Sequence, residues 1–530
     1  MKKTFIYLFA GLALTLGMSS CVKDLDVTPI DPNLVLLEDP SYLFNKCYAN
    51  LALAGNSGAD GDCDIDGLDG GTTGFVRQMW NSNELTTDEA VCGWGDEGIS
   101  SFVYNSYDAS HPMLRGYYYR LYAGITYCND YLELAPDFNK TMTAEVRFLR
   151  ALYYYLAMDA FGNIPFVTTI SSDLAPQYTR AQIYEFIRTE LTEIEPDLSE
   201  PAVKKDTDPG YGRVDKAAAW MLFARLYLNA KVYIGEEHWA EAAEYAKKVM
   251  DSPYDLNRSG NGGYSAYQLL FMADNGETSA TTEAVFPILQ DGLTITSWGT
   301  TLFLIASTTN DDIATGTSEK WAGNRARRDL VDKFFPTTAA PNVDKDEMVA
   351  KAGDDRAILW GAGRTVDADD VKTFTSGFSV AKFNNIRSDG GSTHDSKFVD
   401  TDFYLFRAAE AWLTYAEATA RANGGNVTPE GKAALDDLRG RAHAATKASY
   451  TLDDILDEWS REFYFEGRRR VDLIRYGYFG GNTDYTWQWK GGSYAGTSFD
   501  EYRNVFAIPT TDLTANKNLK QNDGYAVAAE

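Results

Sequence analysis

From Thr143 to Phe161 the apolar residues Val146, Leu149, Tyr153, Leu156 and Ala160 recur at intervals of three and four, the spacing that lines one face of an α-helix. Gly162-Asn163-Ile164-Pro165 ends the run, because glycine and proline do not continue a helix. An apolar helical face has to be buried against another element, so the rest of the chain must supply partners for it. Asp39-Pro40, an N-cap followed by proline at the first helical position, opens an amphipathic segment through Ala54. Arg115 to Leu134 has helical spacing in Tyr118, Leu121, Tyr122, Ile125 and Cys128. Thr179 and Gln182 form a capping box for a helix over Arg180 to Leu191. Asp215 precedes an Ala-rich helix, Lys216 to Lys231, which pairs across a short connection with Trp239 to Met250.

Small and aromatic positions alternate along these pairs. Ala224-Arg-Leu-Tyr227 is followed by Trp239, Ala242, Tyr245, Ala246 and Val249. The same arrangement returns as Ala409, Leu413, Tyr415, Ala416 and Ala418, then Ala433, Ala434, Leu435 and Leu438. Small residues let paired helices approach while large ones fill the groove, so the fold class expected is mainly α, built of tetratricopeptide-like helical hairpins. Ordinary hairpin packing without true repeats is the alternative. The helical scaffold covers 39–251 and 400–476. Gly55 to Thr73 is rich in Gly and Asp and reads as a loop, extending to about Met113. Over 252–399 periodicity fades and Gly, Thr, Asn and Asp are frequent, giving a loop-rich region with small strands, where a ligand site is expected.

The start of the chain carries Lys2 and Lys3, an almost wholly apolar run from Phe5 to Leu16, and Met18-Ser19-Ser20 before Cys21, which are the parts of an export signal. About a dozen apolar residues are too few to span a hydrocarbon core roughly 30 Å thick, and no later stretch offers the roughly 20 required. Residues 1–20 are therefore expected to be cleaved and Cys21 to be the lipid attachment point, as in a lipobox, with 21–38 as a tether.

The chain carries 76 acidic against 49 basic residues, a net charge of −27, which opposes nucleic acid and anionic lipid as partners. It is also 13% aromatic, with 33 Tyr and 11 Trp. Tyr and Trp combine a flat apolar face with a polar edge, a pair of properties that sugar rings match. Catalytic chemistry finds little support. Only His111, His238, His394 and His443 exist, none paired at metal-ligand spacing, and there is no His-Glu-x-x-His or Gly-x-Ser-x-Gly motif. The acidic pairs Asp311-Asp312, Asp354-Asp355 and Asp369-Asp370 read as solvated loop residues before they read as glycosidase carboxylates. Asp62, Asp64 and Asp66 copy the opening of a calcium loop, but Thr73 stands where its bidentate Glu belongs. Cys47, Cys63, Cys92 and Cys128 allow three disulfide pairings or four buried thiols, with Cys63–Cys92 the favoured pair. Arg468-Arg469-Arg470, near Glu462, Glu466 and Asp472, reads as an internal ion-pair network.

Five segments in order resemble the SusD/RagB family of glycan-binding outer-membrane lipoproteins. They are Glu145 to Tyr154 closing on Phe161 to Pro165; Gly212-Arg213; Arg407 to Glu410 leading to Tyr415 to Ala418; Arg461 to Arg475; and Ile508-Pro509 running into Gln521 to Tyr525. The resemblance implies one domain over 39–530, no cofactor and no catalytic activity. It also implies an oligosaccharide ligand passed to a SusC-like TonB-dependent transporter, with the protein lipid-anchored at the cell surface. The same scaffold binding peptides is the alternative, and a glycosidase a more distant one. An aromatic platform is implied through Trp80, Asp88 and Trp94, the last flanked by Gly93 and Gly95, with Trp298 and Trp321 from the mid-chain loops. Trp220 and Trp412 lie on helical stripes and are expected in the core.

Overall fold

The computed structural model describes residues 39–59, 63–65 and 69–526. The signal, the tether and Cys21 lie outside the described residues, as do Asp62 and Asp66. The Asp39 carboxylate accepts the Ser41 N–H at 2.9 Å at the head of helix α1, Ser41–Ala52. The next stretch, expected as loop to Met113, instead holds α2 (Phe75–Glu84), strand β1 (Ala90–Cys92) and α3 (Ile99–Val103). The reason is visible in α2, whose buried residues include Gln78, Asn81, Ser82, Asn83 and Glu84, so its short apolar face is diluted by residues that read as loop.

Helices α4 (Pro112–Leu134) and α5 (Lys140–Phe161) form the first large hairpin. They approach closely because Gly124 faces Tyr153; a Cβ there would lie 2.4 Å from the ring's Cζ. Strands β2 (Ile164–Pro165) and β3 (Gln177–Tyr178) pair before α6, Arg180–Ile194, which carries the capping box of Thr179 and Gln182. Asp215 caps α7 (Lys216–Leu228) by accepting the Ala217 N–H at 2.8 Å, and α8 (Ala230–Ile234) and α9 (Trp239–Met250) follow.

The middle of the chain is loop-rich, as its sequence suggests, and carries β4 (Ala284–Ile288), α10 (Thr301–Ala306), β5 (Asn324–Ala326), α11 (Arg328–Phe334), α12 (Lys345–Ala352), β6 (Leu359–Trp360) and β7 (Ser379–Val380). Beyond β8 (Phe403–Arg407) the helices resume as α13 (Ala409–Ala422), α14 (Pro429–Arg441), α15 (Leu452–Phe463) and α16 (Arg469–Arg475). Helix α9 packs between α7 and α13, and α13 also takes α14 and α15, so the second helical block joins both ends of the loop-rich region. The strand pairs β1–β5, β4–β8 and β6–β7 are antiparallel, and β1–β5 sets Cys92 opposite Asn324.

Trp412 is in the core, with its indole N–H on Asp437 at 3.0 Å. Trp220 is only half-buried, because its N–H reaches out to Glu195 at 2.7 Å. The expected Cys63–Cys92 disulfide is absent. All four described thiols are free: Cys63 contacts the Thr73 hydroxyl at 3.1 Å, while Cys92 is sealed in β1, where burial pushes its thiol up to about 12.

The triple arginine is an internal network. Arg468 pairs with Glu410 at 3.0 Å, Arg469 with Asp88 at 2.8 Å and Arg470 with Asp159 at 3.3 Å, all at side chains that are buried or nearly so. Deeper still, Glu462 meets Arg407 at 2.6 Å and Arg356 at 3.2 Å and also pairs with Arg441; Glu466 meets Arg407 and Lys382, each at 2.7 Å.

Other buried carboxyls lack a cation. Asp402 accepts only the Tyr211 hydroxyl at 2.7 Å and the Gln290 N–H at 2.8 Å, and burial pushes it up to about 7. Its proton is thus held more tightly in the folded chain, and the stability it contributes is full below the unfolded value of 3.8 and lost as pH rises through 7. Urea midpoints at pH 5 and pH 8 should therefore differ less for Asp402→Asn than for the native chain. An unchanged difference would remove Asp402 as the source.

Candidate ligand-binding recess

Three of the tryptophans singled out in the sequence come together although they are far apart in the chain. Trp94 leaves β1 just after its pairing with β5. The Gly93 N–H donates to Gly323 O at 3.2 Å, continuing the ladder by one bond, and the Trp94 indole lies directly over Gly323. A Cβ at residue 323 would stand 2.1 Å from Trp94 Nε1, and Gly323 has φ +105°, so glycine is required there on both counts.

Trp298 is placed by a crossing of two glycines. Gly74 at the head of α2 and Gly299 touch backbone to backbone: a Cβ on Gly74 would lie 2.6 Å from Gly299 Cα, and the Arg77 N–H donates to Gly299 O at 3.0 Å. The crossing sets Trp298 against Gly71 and, at the same time, turns Arg77 of α2 toward the tryptophans.

Trp321 follows α10, its backbone N–H on Ala306 O at 2.8 Å, and its indole N–H is held by the Glu319 carboxylate at 2.7 Å. The rings of Trp298 and Trp321 lie 5.9 Å apart at 41°, and Phe398 backs Trp298 at 5.1 Å while the Lys397 ammonium sits 4.2 Å from its ring.

Together Asp69, Gly71, Arg77, Trp94, Asp96, Trp298 and Trp321 line an open recess of about 420 Å³. The Arg77 guanidinium lies 5.6 Å from the Trp94 ring and 5.1 Å from Phe303, and burial lowers its pKa. Asp69 accepts the N–H groups of Gly71 and Thr72 at 2.9 and 3.2 Å, which fixes its carboxylate at the rim. Two carboxylates, one guanidinium and three indoles can stack on flat apolar faces and hydrogen-bond hydroxyl groups.

Trp80 and Asp88 belong elsewhere. Trp80 is 1% exposed, donates to Phe465 O at 3.1 Å and presents its edge to Phe303, the ring that also touches Trp94, so it supports the recess from behind. Asp88 is fully buried between Arg469, Lys333 and the Tyr485 hydroxyl. Burial alone would raise it, but the charges of Arg469 and Lys333 outweigh that and hold it far below the usual carboxylate range. Of the calcium candidates only Asp64 is described; it pairs with Arg120 at 2.8 Å and accepts the Tyr127 hydroxyl at 2.8 Å. No cluster of three or more His, Cys, Asp or Glu suited to a metal occurs among the described residues.

Asp69, Arg77 and Asp96 went unread in the sequence. Phe75, Val76, Met79 and Trp80 are the signal that could have shown a helix there, which would have placed Arg77 on its opposite side from the buried apolar face.

Residues 235–525 match the model of the SusD family, and residues 73–228 match one described as starch-binding associating with outer membrane. The chain is 39% identical to the starch-binding protein SusD of Bacteroides thetaiotaomicron, with 97% of each chain covered. Among solved structures it is similar to surface glycan-binding protein A from Bacteroides thetaiotaomicron in complex with laminarihexaose (TM-score 0.65, 22% identity, covering 91% of this chain and 98% of that one). It is also similar to a SusD superfamily protein from Parabacteroides distasonis (TM-score 0.65, 20% identity, covering 92% and 98%). At these identities the two structures speak to the fold.

Proposed function

Because this chain belongs to the SusD family, we propose that it is a surface-exposed lipoprotein that captures glycans of the starch type and passes them to a SusC-like TonB-dependent transporter in the outer membrane. It acts by binding and not by catalysis, as the starch- and glycan-binding proteins of its family do. The observation that carries the reading is the meeting of Trp94, Trp298 and Trp321 around one recess with Arg77, Asp69 and Asp96 at hand. Indole faces stack on the apolar faces of pyranose rings, and the charged rim takes their hydroxyls. The 39% identical relative is named for starch, which supports an α-glucan as the ligand.

Calorimetric titration of the purified chain with maltoheptaose, soluble starch, laminarin and a peptide pool tests the ligand class. Saturable heat with the α-glucans is expected; binding confined to the peptides would replace this reading with the peptide-binding one.

No helix among the described residues is long and apolar enough to cross a membrane; attachment through lipid at Cys21 is part of the proposal. Cys21→Ala should move the protein from the membrane pellet to the soluble fraction of fractionated cells while its glycan affinity stays the same. Retention in the pellet would exclude Cys21 as the anchor.

A further inference from the structure

A second group of aromatic rings lies on a loop that is costly to build. Trp489 has φ +69° and ψ +8°, left-handed backbone that a bulky aromatic residue rarely adopts. The loop around it is tied down by two buried cations that find no carboxylate in their hydrogen bonds. Arg327 donates to the carbonyls of Ala90, Leu85, Val103 and Gln488, and Lys490 to those of Tyr478, Asn482 and Tyr485. Burial draws Arg327 down to about 10 and Lys490 down to about 8. Buried charges satisfied only by carbonyl dipoles are unfavourable, so a loop that uses two of them together with left-handed tryptophan is held in one shape against its own stability.

That shape gathers three rings, of which Tyr494 is exposed and Tyr104 and Trp489 are half-buried. Trp489 is pinned by its indole N–H on Ala368 O at 2.7 Å, with Tyr104 at 5.6 Å and Tyr494 at 5.4 Å around it. Tyr494 is 41% exposed, and its hydroxyl accepts the Gln488 amide at 3.2 Å; Gln488 also donates to Asp367, whose carboxylate is bridged by Arg328. Aromatic rings, a carboxylate and a guanidinium occur here as they do in the recess, with the Gln488 amide in addition. The two groups are also linked: Lys372 donates to Trp94 O at 3.2 Å, while Ala368 of the same loop holds Trp489. Four residues reach at most about 14 Å, so the two platforms flank one short loop.

We propose that Tyr104, Trp489 and Tyr494 form a second glycan subsite, which takes sugar units of a chain whose other part occupies the Trp94 recess. This rests on the glycan reading of that recess. Two linked contacts on one polymer add avidity that a short fragment cannot use. Calorimetric titration of the native chain, Tyr494→Ala, Tyr494→Phe and Trp94→Ala with maltotriose and with soluble starch tests it. Tyr494→Ala should bind maltotriose like the native chain and starch at least about fivefold more weakly. Tyr494→Phe should keep starch binding, and Trp94→Ala should weaken binding of both ligands by roughly tenfold or more. If Tyr494→Ala matches the native chain on starch, the subsite is overturned and the recess stands. If it loses association with the transporter barrel while starch affinity holds, the rings are a protein contact and the subsite is equally overturned. If the native chain binds neither ligand, the recess reading and the subsite fall together.

Discussion

Trp94→Ala should weaken binding of maltoheptaose by roughly tenfold to a hundredfold, about 1.5–3 kcal/mol, the range for removing a central aromatic anchor from a binding surface. The residue sits on Gly323 with its edge toward Phe303 and the Arg77 guanidinium nearby, so its loss takes a stacking face out of the recess and leaves the backbone ladder of β1 and β5 in place. The unfolding midpoint should therefore change little. Trp80→Phe is the complementary control: Trp80 is buried behind Phe303, so stability should fall while affinity holds. Equal affinity for Trp94→Ala and the native chain, measured calorimetrically, would mean that these tryptophans only pin their loops.

Removing Arg407 should have the largest effect on stability. Its guanidinium is fully buried against Glu283, Glu462 and Glu466 and lies 3.9 Å from the Phe463 ring centre. Arg356 and Arg441 help compensate Glu462, but Glu466 keeps only Lys382. Breaking a buried ion network by taking out one partner costs about 3–5 kcal/mol, because the charge left behind has no water to turn to. Arg407→Met preserves much of the volume and isolates that electrostatic cost. Urea unfolding should show a lower midpoint with an unchanged slope, corresponding to that loss of unfolding free energy; a loss under about 1 kcal/mol would show that the carboxylates take up protons without penalty.

The helices that sequence periodicity outlines are those with one apolar face and a chemical cap. Trp239–Met250 appears with the boundaries expected, and the helix opening at Arg180 begins at its capping box. Helix α2 escaped because Gln78, Asn81, Ser82, Asn83 and Glu84 are buried alongside Phe75, Val76, Met79 and Trp80, so its short apolar face is diluted by residues that read as loop. The same cause blurs the site. A tryptophan in polar surroundings looks alike in sequence whether it lines a recess, as Trp94 does, or backs one, as Trp80 does. The difference rests on contacts with Phe303 and Gly323, more than two hundred residues away. Asp88 looked available for hydroxyl groups because its partners Lys333 and Arg469 are equally distant in the chain.

The touching backbones of Gly74 and Gly299 also bear on the order in which the protein matures. The two glycines are more than two hundred residues apart, with the α4–α5 hairpin and the helices through α9 between them. Closing so long a stretch of chain is slow and late compared with local hairpins. A partly folded chain, with its hairpins formed and this crossing still open, has therefore not yet set Trp298 against Arg77. The recess is thus among the last features of the molecule to form, and a chain caught before that point lacks the arrangement proposed to hold a sugar.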